Sequence, residues 1–496
     1  MKYKIFFFFL LSSLLLLFVS PDSYLYDLYG KCDSIFFFTH GKAWMNGQIP
    51  YQDFADYKGP LLFLFYGVGY LLSPTDYVGV FWLSCLLYTL IFWLCYRIAS
   101  VIIDDEWGSM TAAVLMPISY FNIMYFGEVR AEDVAAVFVA WAMLMTCLCL
   151  YKDKSPLLSS LIIGICIGAC FLIKFTFSAM LIVLAAFVLW HGRKTFWRDV
   201  IALALGGAII LMPFLLVFLY EGNLYNFIEE YIIRTYVAVG NINKDPYFMR
   251  MWTYFCLKTS LLVFISSIVA CLLIRPYLKH YKYFPLIAFL WFYLVTIQNG
   301  IWQYYYASCS IFVLFGIIAV IRYLHDKQLN LHRAFLMVVP ITFVVCIGTK
   351  AVGYYRWSMP NLFYEDTFDR HEFWSYANLM SQVKKPKIVI LNEDWGFSFG
   401  TPAESLPGCR YWFLPTAYTQ DMVDNQWQAV EARIPDFITM AEDDSLSRKR
   451  VELSDYKAYY VKGSKHVLYS KHHHLKMPDD NFTITTQQLL MKQRPW

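Results

Sequence analysis

Three carboxylates and a lysine gather in one stretch between two apolar runs of the chain. Asp33 opens Asp33-Ser34-Ile35-Phe36, and Asp53, Asp56 and Lys58 lie within Gly47-Gln48-Ile49-Pro50-Tyr51-Gln52-Asp53-Phe54-Ala55-Asp56-Tyr57-Lys58-Gly59-Pro60. A carboxylate can take the proton of a hydroxyl, and a lysine supplies a compact positive charge for an anion. Charge at the depth of a membrane surface is costly unless it is used or paired. Plainer readings stand beside the chemical one. The aspartates suit helix caps or solvated loop positions, Lys58 suits a snorkelling side chain, and Asp56 can pair with Lys58.

A second charged group is Gly127-Glu128-Val129-Arg130-Ala131-Glu132-Asp133. Arg130 can grip an anion and Glu128 can orient a partner, whereas Glu132 and Asp133 fall in the first turn of the next helix and favour its dipole. Trp302, Gln303 and Tyr304 follow Gln298-Asn299-Gly300-Ile301. Aromatic faces rimmed by amides suit sugars, and an interfacial aromatic belt predicts the same residues. Lys174, between two apolar runs, faces either a cavity or a tight interfacial turn. The tract His472-His473-His474 cannot converge on one metal from regular structure, so it reads as solvated loop.

The elements that must hold these residues are apolar. With 58% apolar and 19% aromatic residues, the chain exceeds an ordinary soluble domain. The excess falls in runs near 5–20, 60–73, 78–103, 108–126, 132–151, 156–173, 175–190, 199–220, 251–274, 284–298, 302–321 and 333–349. Most have the length a helix needs to cross a bilayer. The run at 60–73 is short and ends at Ser73-Pro74, so it reads as half-length, re-entrant or fused. The first run follows Lys2 and Lys4 and lacks a small-residue cleavage site, so it reads as an uncleaved helix with its N-terminus in the cytoplasm.

Basic clusters at 191–198, 275–282 and 322–333 mark cytoplasmic loops. Segments 221–250, 298–303 and the region after Lys350 then lie outside, as does the long loop 21–59. A net charge of +4 gives no reason to expect nucleic acid. The twelve cysteines contain no C-x-x-C pair, so a zinc site or disulfide framework is not expected.

After Lys350 the composition becomes that of a soluble domain. Residues 387–391 and 411–414 read as strands, 456–461 with 467–469 as a hairpin, and 424–433 as a helix. The expected architecture is an α-helical polytopic membrane protein with about 11–13 transmembrane helices and a small C-terminal α/β domain. The expected domains are 1–349 and 350–496.

Asp33 after the first span, the run Gly47 to Asp53, and Lys58-Gly59-Pro60 opening the next helix together resemble the GT-C superfamily of polytopic glycosyltransferases. The similarity is to the bacterial branch of protein O-mannosyltransferases and aminoarabinose transferases, and the hydropathy plan agrees over most of the length. A single Asp33 followed by serine stands where some members have an Asp-Glu pair.

The resemblance implies transfer of a sugar, with inversion, from a polyprenyl-phosphate donor to a lipid, glycan or protein acceptor. Asp33 and Asp53 would form the catalytic set, with Asp33 as base. Lys58 and Arg130 would hold the donor phosphate, and Asp56, Glu128, Trp302, Gln303 and Tyr304 would line the substrate site. It also implies the bacterial inner membrane with the C-terminal domain extracytoplasmic. No metal is required, although Asp33 with Asp53 or Glu128 offers oxygen ligands to a divalent cation. The competing classes are a flippase for lipid-linked sugars, which would place its charges mid-helix, and a non-catalytic envelope assembly protein.

Overall fold

The computed structural model describes residues 2–20, 22–25, 32–123, 129–152, 154–237, 311–355, 368–391, 397–415, 418–441, 444–461, 464 and 466–477, with scattered residues between 265 and 294. Helices dominate. They are α1 (Lys2–Val19), α2 (Cys32–Met45), α3 (Pro60–Leu72), α4 (Val78–Ile102), α5 (Glu106–Ile123), α6 (Ala131–Tyr151), α7 (Pro156–Ile173), α8 (Thr176–His191) and α9 (Phe196–Tyr220). Later in the chain come α10 (Ile311–Asp326), α11 (Leu331–Tyr355), α12 (Phe368–Met380), α13 (Gln420–Glu431) and α14 (Ser445–Leu453).

Among the described residues five helices are long and apolar enough to cross a membrane: Lys2–Val19, Val78–Ile102, Ala131–Tyr151, Pro156–Ile173 and Arg193–Tyr220. Their outer faces are apolar as well. On α9, Ile201, Leu205, Ile209, Met212 and Leu216 are all exposed at helical spacing, a stripe that water would not tolerate and lipid requires. The protein is a multi-pass membrane protein. At 13 residues, α3 is too short to span.

The chain divides into two compact units. The first comprises residues 1–23, 57–62 and 81–357. Its helices approach closely where side chains vanish. A Cβ on Gly164 of α7 would stand 2.0 Å from the Leu203 carbonyl oxygen of α9, and one on Gly206 of α9 would stand 2.0 Å from that of Leu161. Small residues at such crossings let helices associate by backbone packing in lipid. Hydrogen bonds add to this: Ser12 Oγ donates to the Cys85 carbonyl at 3.0 Å, and Lys4 Nζ sits 2.8 Å from Glu106 Oε1.

The second unit comprises residues 24–56, 63–80 and 358–496. Its sheet has the order β2-β1-β3-β5-β4, built from β1 (Lys387–Leu391), β2 (Leu406–Pro407), β3 (Phe437–Ala441), β4 (Lys457–Tyr459) and β5 (His466–Ser470). Strand β1 runs parallel to β2 and β3, with Ile388 opposite Phe437, and β5 is antiparallel to both β3 and β4. Burial on both faces explains the unbroken apolar run of β1.

Two expectations need correction. Residues 411–414 form turn and bend, not a strand. Ile390 N donates to the Trp412 carbonyl at 2.6 Å, a ladder-like bond between the segment and β1. Its rings pack instead on α2, with Phe413 stacked on Phe36 at 4.0 Å. The region 21–59 is not simply loop, because it contains α2. This helix carries apolar groups on more than one side, so it lacks the one-sided periodicity that marks an amphipathic helix. Phe37 meets Tyr66 and Phe38 meets Tyr70 of α3, while Phe36 faces Trp412. Gly41 lets the two backbones touch, since a Cβ there would stand 2.3 Å from Gly67 N.

Candidate active site

In the first unit a buried charge cluster forms where α6 begins. Residues 57–60 run against the end of α7: Gly59 N donates to the Ile173 carbonyl at 2.9 Å, and a Cβ on Gly59 would lie 2.2 Å from the Leu172 carbonyl oxygen. Only glycine permits that approach, and Pro60 then starts α3 without wasting a donor. Lys58 is thereby brought within electrostatic range of Glu132. The Glu132 carboxylate is buried and accepts from Lys174 Nζ at 2.8 Å. Arg130 immediately precedes α6 and is itself buried.

Asp133 plays another part in this cluster. Its Oδ2 accepts from Arg130 N at 2.8 Å, capping the helix start, and its Oδ1 accepts from the Tyr88 hydroxyl of α4 at 2.7 Å. The result is three cations with two acids at the end of a membrane helix whose N-terminal dipole is positive. Such a place attracts an anionic ligand.

In the second unit, Asp33 lies in the first turn of α2 and is half-buried. The loop after α2 is closed by its own carboxylate. Asp53 Oδ2 accepts from Ile49 N at 2.7 Å while Asp53 N donates to the Ile49 carbonyl at 2.9 Å. Tyr51 is fully buried with φ 67°, a left-handed conformation that this closed turn imposes. Asp56 Oδ2 lies 3.6 Å from His40 Nδ1, and His40 Nε2 lies 3.0 Å from Trp412 Nε1. An indole N–H only donates, so Nε2 is the acceptor and the neutral ring carries its proton on Nδ1, on the Asp56 side.

Four polar groups beneath this loop form a further network. Asn46 Nδ2 donates to the Lys42 carbonyl at 2.8 Å and to the Tyr70 hydroxyl at 3.2 Å. Tyr70 donates to Glu404 Oε1 at 2.8 Å, and Lys385 Nζ donates to Asn46 Oδ1 at 2.6 Å. Lys42 is completely buried, and among the described residues its Nζ makes no hydrogen bond. Burial pushes its ammonium down to about 7 against the pull of Glu404, and Lys385 adds to the lowering.

The sequence-derived residues are therefore distributed over both units. Lys58 and Arg130 belong to the first, while Asp33, Asp53 and Asp56 belong to the second. Glu128, Trp302, Gln303 and Tyr304 lie outside the described residues. Among the described residues no group of three or more His, Cys, Asp or Glu side chains is placed to hold a metal ion. The histidine tract takes a local role, with His472 Nε2 2.8 Å from Asp436 Oδ1.

Sequence reasoning left Lys174 open between two readings and did not single out His40, Lys42 or Trp412. The one available signal was charge or imidazole inside apolar text, as in His40 and Lys42 between Phe36 and Trp44.

Residues 57–220 match the family model described as dolichyl-phosphate-mannose-protein mannosyltransferase. No curated protein matches the chain in sequence. The fold is similar to that of ArnT from Cupriavidus metallidurans bound to undecaprenyl phosphate, with a TM-score of 0.63 and 13% identity over 95% of this chain and 98% of that one. The apo state of the same protein gives a TM-score of 0.61 and 12% identity over 94% and 97%. At such identity the likeness establishes the fold.

Proposed function

We propose that this chain, a multi-pass membrane protein of the GT-C glycosyltransferase fold, transfers a sugar from a polyprenyl-phosphate donor to a hydroxyl acceptor, with inversion. The observation that carries this reading is the approach of Lys58 and Lys174 to the buried Glu132 at the start of α6, directly after the buried Arg130. The Lys-Gly-Pro segment that forms it lies inside the stretch matching the mannosyltransferase family model. A solved structure of the same fold, ArnT, holds undecaprenyl phosphate.

In this mechanism the donor phosphate sits against Lys58 and Arg130. The bond from the anomeric carbon to the phosphate oxygen breaks, and its electron pair leaves with polyprenyl phosphate, whose growing charge the two cations stabilise. The acceptor oxygen attacks the opposite face of the sugar and forms the new glycosidic bond as its proton passes to the Asp33 carboxylate. Asp53 fixes the loop through the Ile49 amide. Asp56, Glu128, Trp302, Gln303 and Tyr304 complete the substrate site. No metal is needed in this scheme, because lysine and arginine neutralise the leaving group. The protein works in the bacterial inner membrane, with its C-terminal domain and acceptor on the extracytoplasmic side.

The test is sugar transfer by purified protein from a panel of polyprenyl-phosphate sugars, with membrane extract as acceptor. Asp33→Asn should bind donor and fail to turn over, with transfer falling about 10²–10⁴-fold. Equal rates for Asp33→Asn and wild type would remove Asp33 as base.

A further inference from the structure

The second unit contains a cavity of about 510 Å³ between the loop 46–56 and the C-terminal sheet domain. Its volume falls in the range that holds a small organic ligand. Gln48 and Gln52 come from the loop, and Asn425 and Gln428 from α13. Positions 425, 428 and 429 of α13 and the residue that caps its C-terminus, Ala432, are the i, i+3, i+4 and i+7 set of one face, and they read Asn, Gln, Ala and Ala. The acids Asp421, Asp424 and Glu431 of the same helix are not among the residues lining the cavity. The charges that do line it are Asp53, Lys387 and Arg410, two of one sign and one of the other.

We propose that this cavity binds a saccharide, the sugar portion of the acceptor; the acceptor role rests on the transfer reading above, the binding does not. The chemistry of the wall decides the class. A sugar hydroxyl donates one hydrogen bond and accepts others, and a side-chain amide offers both kinds of partner on one rigid group. Four amides on facing walls match a ring that carries hydroxyls around its edge, and the alanines leave room for it. Gln48 Nε2 and Asn425 Oδ1 are already engaged, with the Pro407 carbonyl and Tyr411 N. Gln48 Oε1, Asn425 Nδ2 and the exposed amides of Gln52 and Gln428 are therefore the groups left for a ligand, and an apolar one would cost them their water without replacing it.

A peptide adding as a strand is disfavoured at this edge. The Pro407 carbonyl of edge strand β2 already accepts from Gln48 Nε2 at 3.0 Å, and Gly408 N donates to the Ile388 carbonyl at 2.8 Å. The cavity is tied to the proposed catalytic loop through Asp53, whose backbone and carboxylate close the turn that presents Gln48 and Gln52. Arg410 holds the same turn from the other side, its Nε donating to the Gln52 carbonyl at 3.1 Å and its own carbonyl accepting from Ala55 N at 2.9 Å.

The experiment uses the full-length protein, fluorescently labelled in detergent, on a broad glycan array with no donor present. Wild type should bind a defined set of oligosaccharides. The double variant Gln52→Ala/Gln428→Ala alters two exposed side chains and should weaken that binding at least about tenfold with an unchanged thermal midpoint. Binding to no glycan, or equal binding by the variant, overturns the proposal. Polyprenyl-phosphate binding is measured separately on the same preparation. Its absence beside intact glycan binding would reject the transfer reading and leave the saccharide site standing.

Discussion

Trp412 Nε1 donates to His40 Nε2 across 3.0 Å, joining the segment after β2 to the middle of α2. The bond holds His40 in one neutral tautomer, because a protonated ring would set two N–H groups against each other. Removing only the donor leaves a buried nitrogen without its partner. Trp412→Phe should therefore lower stability by about 1–3 kcal/mol, read as a drop in thermal midpoint. The double variant Trp412→Phe/His40→Phe should recover part of the loss, since an apolar pair strands no polar atom. A double variant no better than the single would show that the indole acts through volume rather than its N–H.

Gly59 tests whether the approach of residues 57–60 to α7 matters. With Leu172 O only 2.2 Å from the added Cβ, Gly59→Ala should cost about 1–3 kcal/mol. It should also reduce sugar transfer at least tenfold, because a displacement of about 1 Å can cost 10²-fold. Gly207→Ala is the control, since its Cβ would meet nothing closer than 3.7 Å. Equal behaviour of the two variants in thermal melts and transfer assays would contradict the packing argument.

The Lys174–Glu132 pair is short, with Glu132 buried and Lys174 half-buried. Lys174→Met leaves an acid with one cation fewer in a low-dielectric place and should destabilise by about 3–5 kcal/mol. Lys174→Met/Glu132→Leu should restore much of the melting temperature, as a buried pair often exchanges for apolar residues at little cost. The restored protein should still bind donor more weakly, because Glu132 then no longer orients Lys58. Retained binding of polyprenyl phosphate by the double variant would assign the pair to stability alone.

Lys42 gives a pH signature. Its folded value near 7 lies below the 10.5 of an ordinary lysine. Between these values the unfolded chain holds a proton that the native protein has released, so this group's contribution to stability rises with pH from about 7 to 10.5. Below about 7 the full penalty of burial applies. Lys42→Met should therefore raise the thermal midpoint most at or below pH 7, by the equivalent of about 1–4 kcal/mol, and the gain should shrink as pH rises. A gain independent of pH would mean that the amine is already solvated or paired.

Much of the membrane half was legible without coordinates. Apolar runs of bilayer length announce α1, α4, α6, α7 and α9, because a backbone in lipid must satisfy its own hydrogen bonds and only a helix does so locally. The strand Lys387–Leu391 and the hairpin of β4 and β5 were equally readable from short apolar runs bounded by turns. The motif Lys58-Gly59-Pro60 pointed to a charged site before any distance was known.

By itself, then, the sequence determined that α1, α4, α6, α7 and α9 are helices of membrane-spanning length and which side chains carry charge to their ends. Tertiary structure alone decided which charges meet. Glu132 finds Lys174 from 42 positions away, and His40 finds Trp412 across 372, separations over which no periodicity operates. It also decided that residues 411–413 serve as an aromatic anchor for α2 rather than as a strand, since a ring's partner depends on which surface reaches it and not on its neighbours in the chain. Local pattern encodes what the backbone can do alone; pairing of buried charge is set by the packing that brings distant elements together.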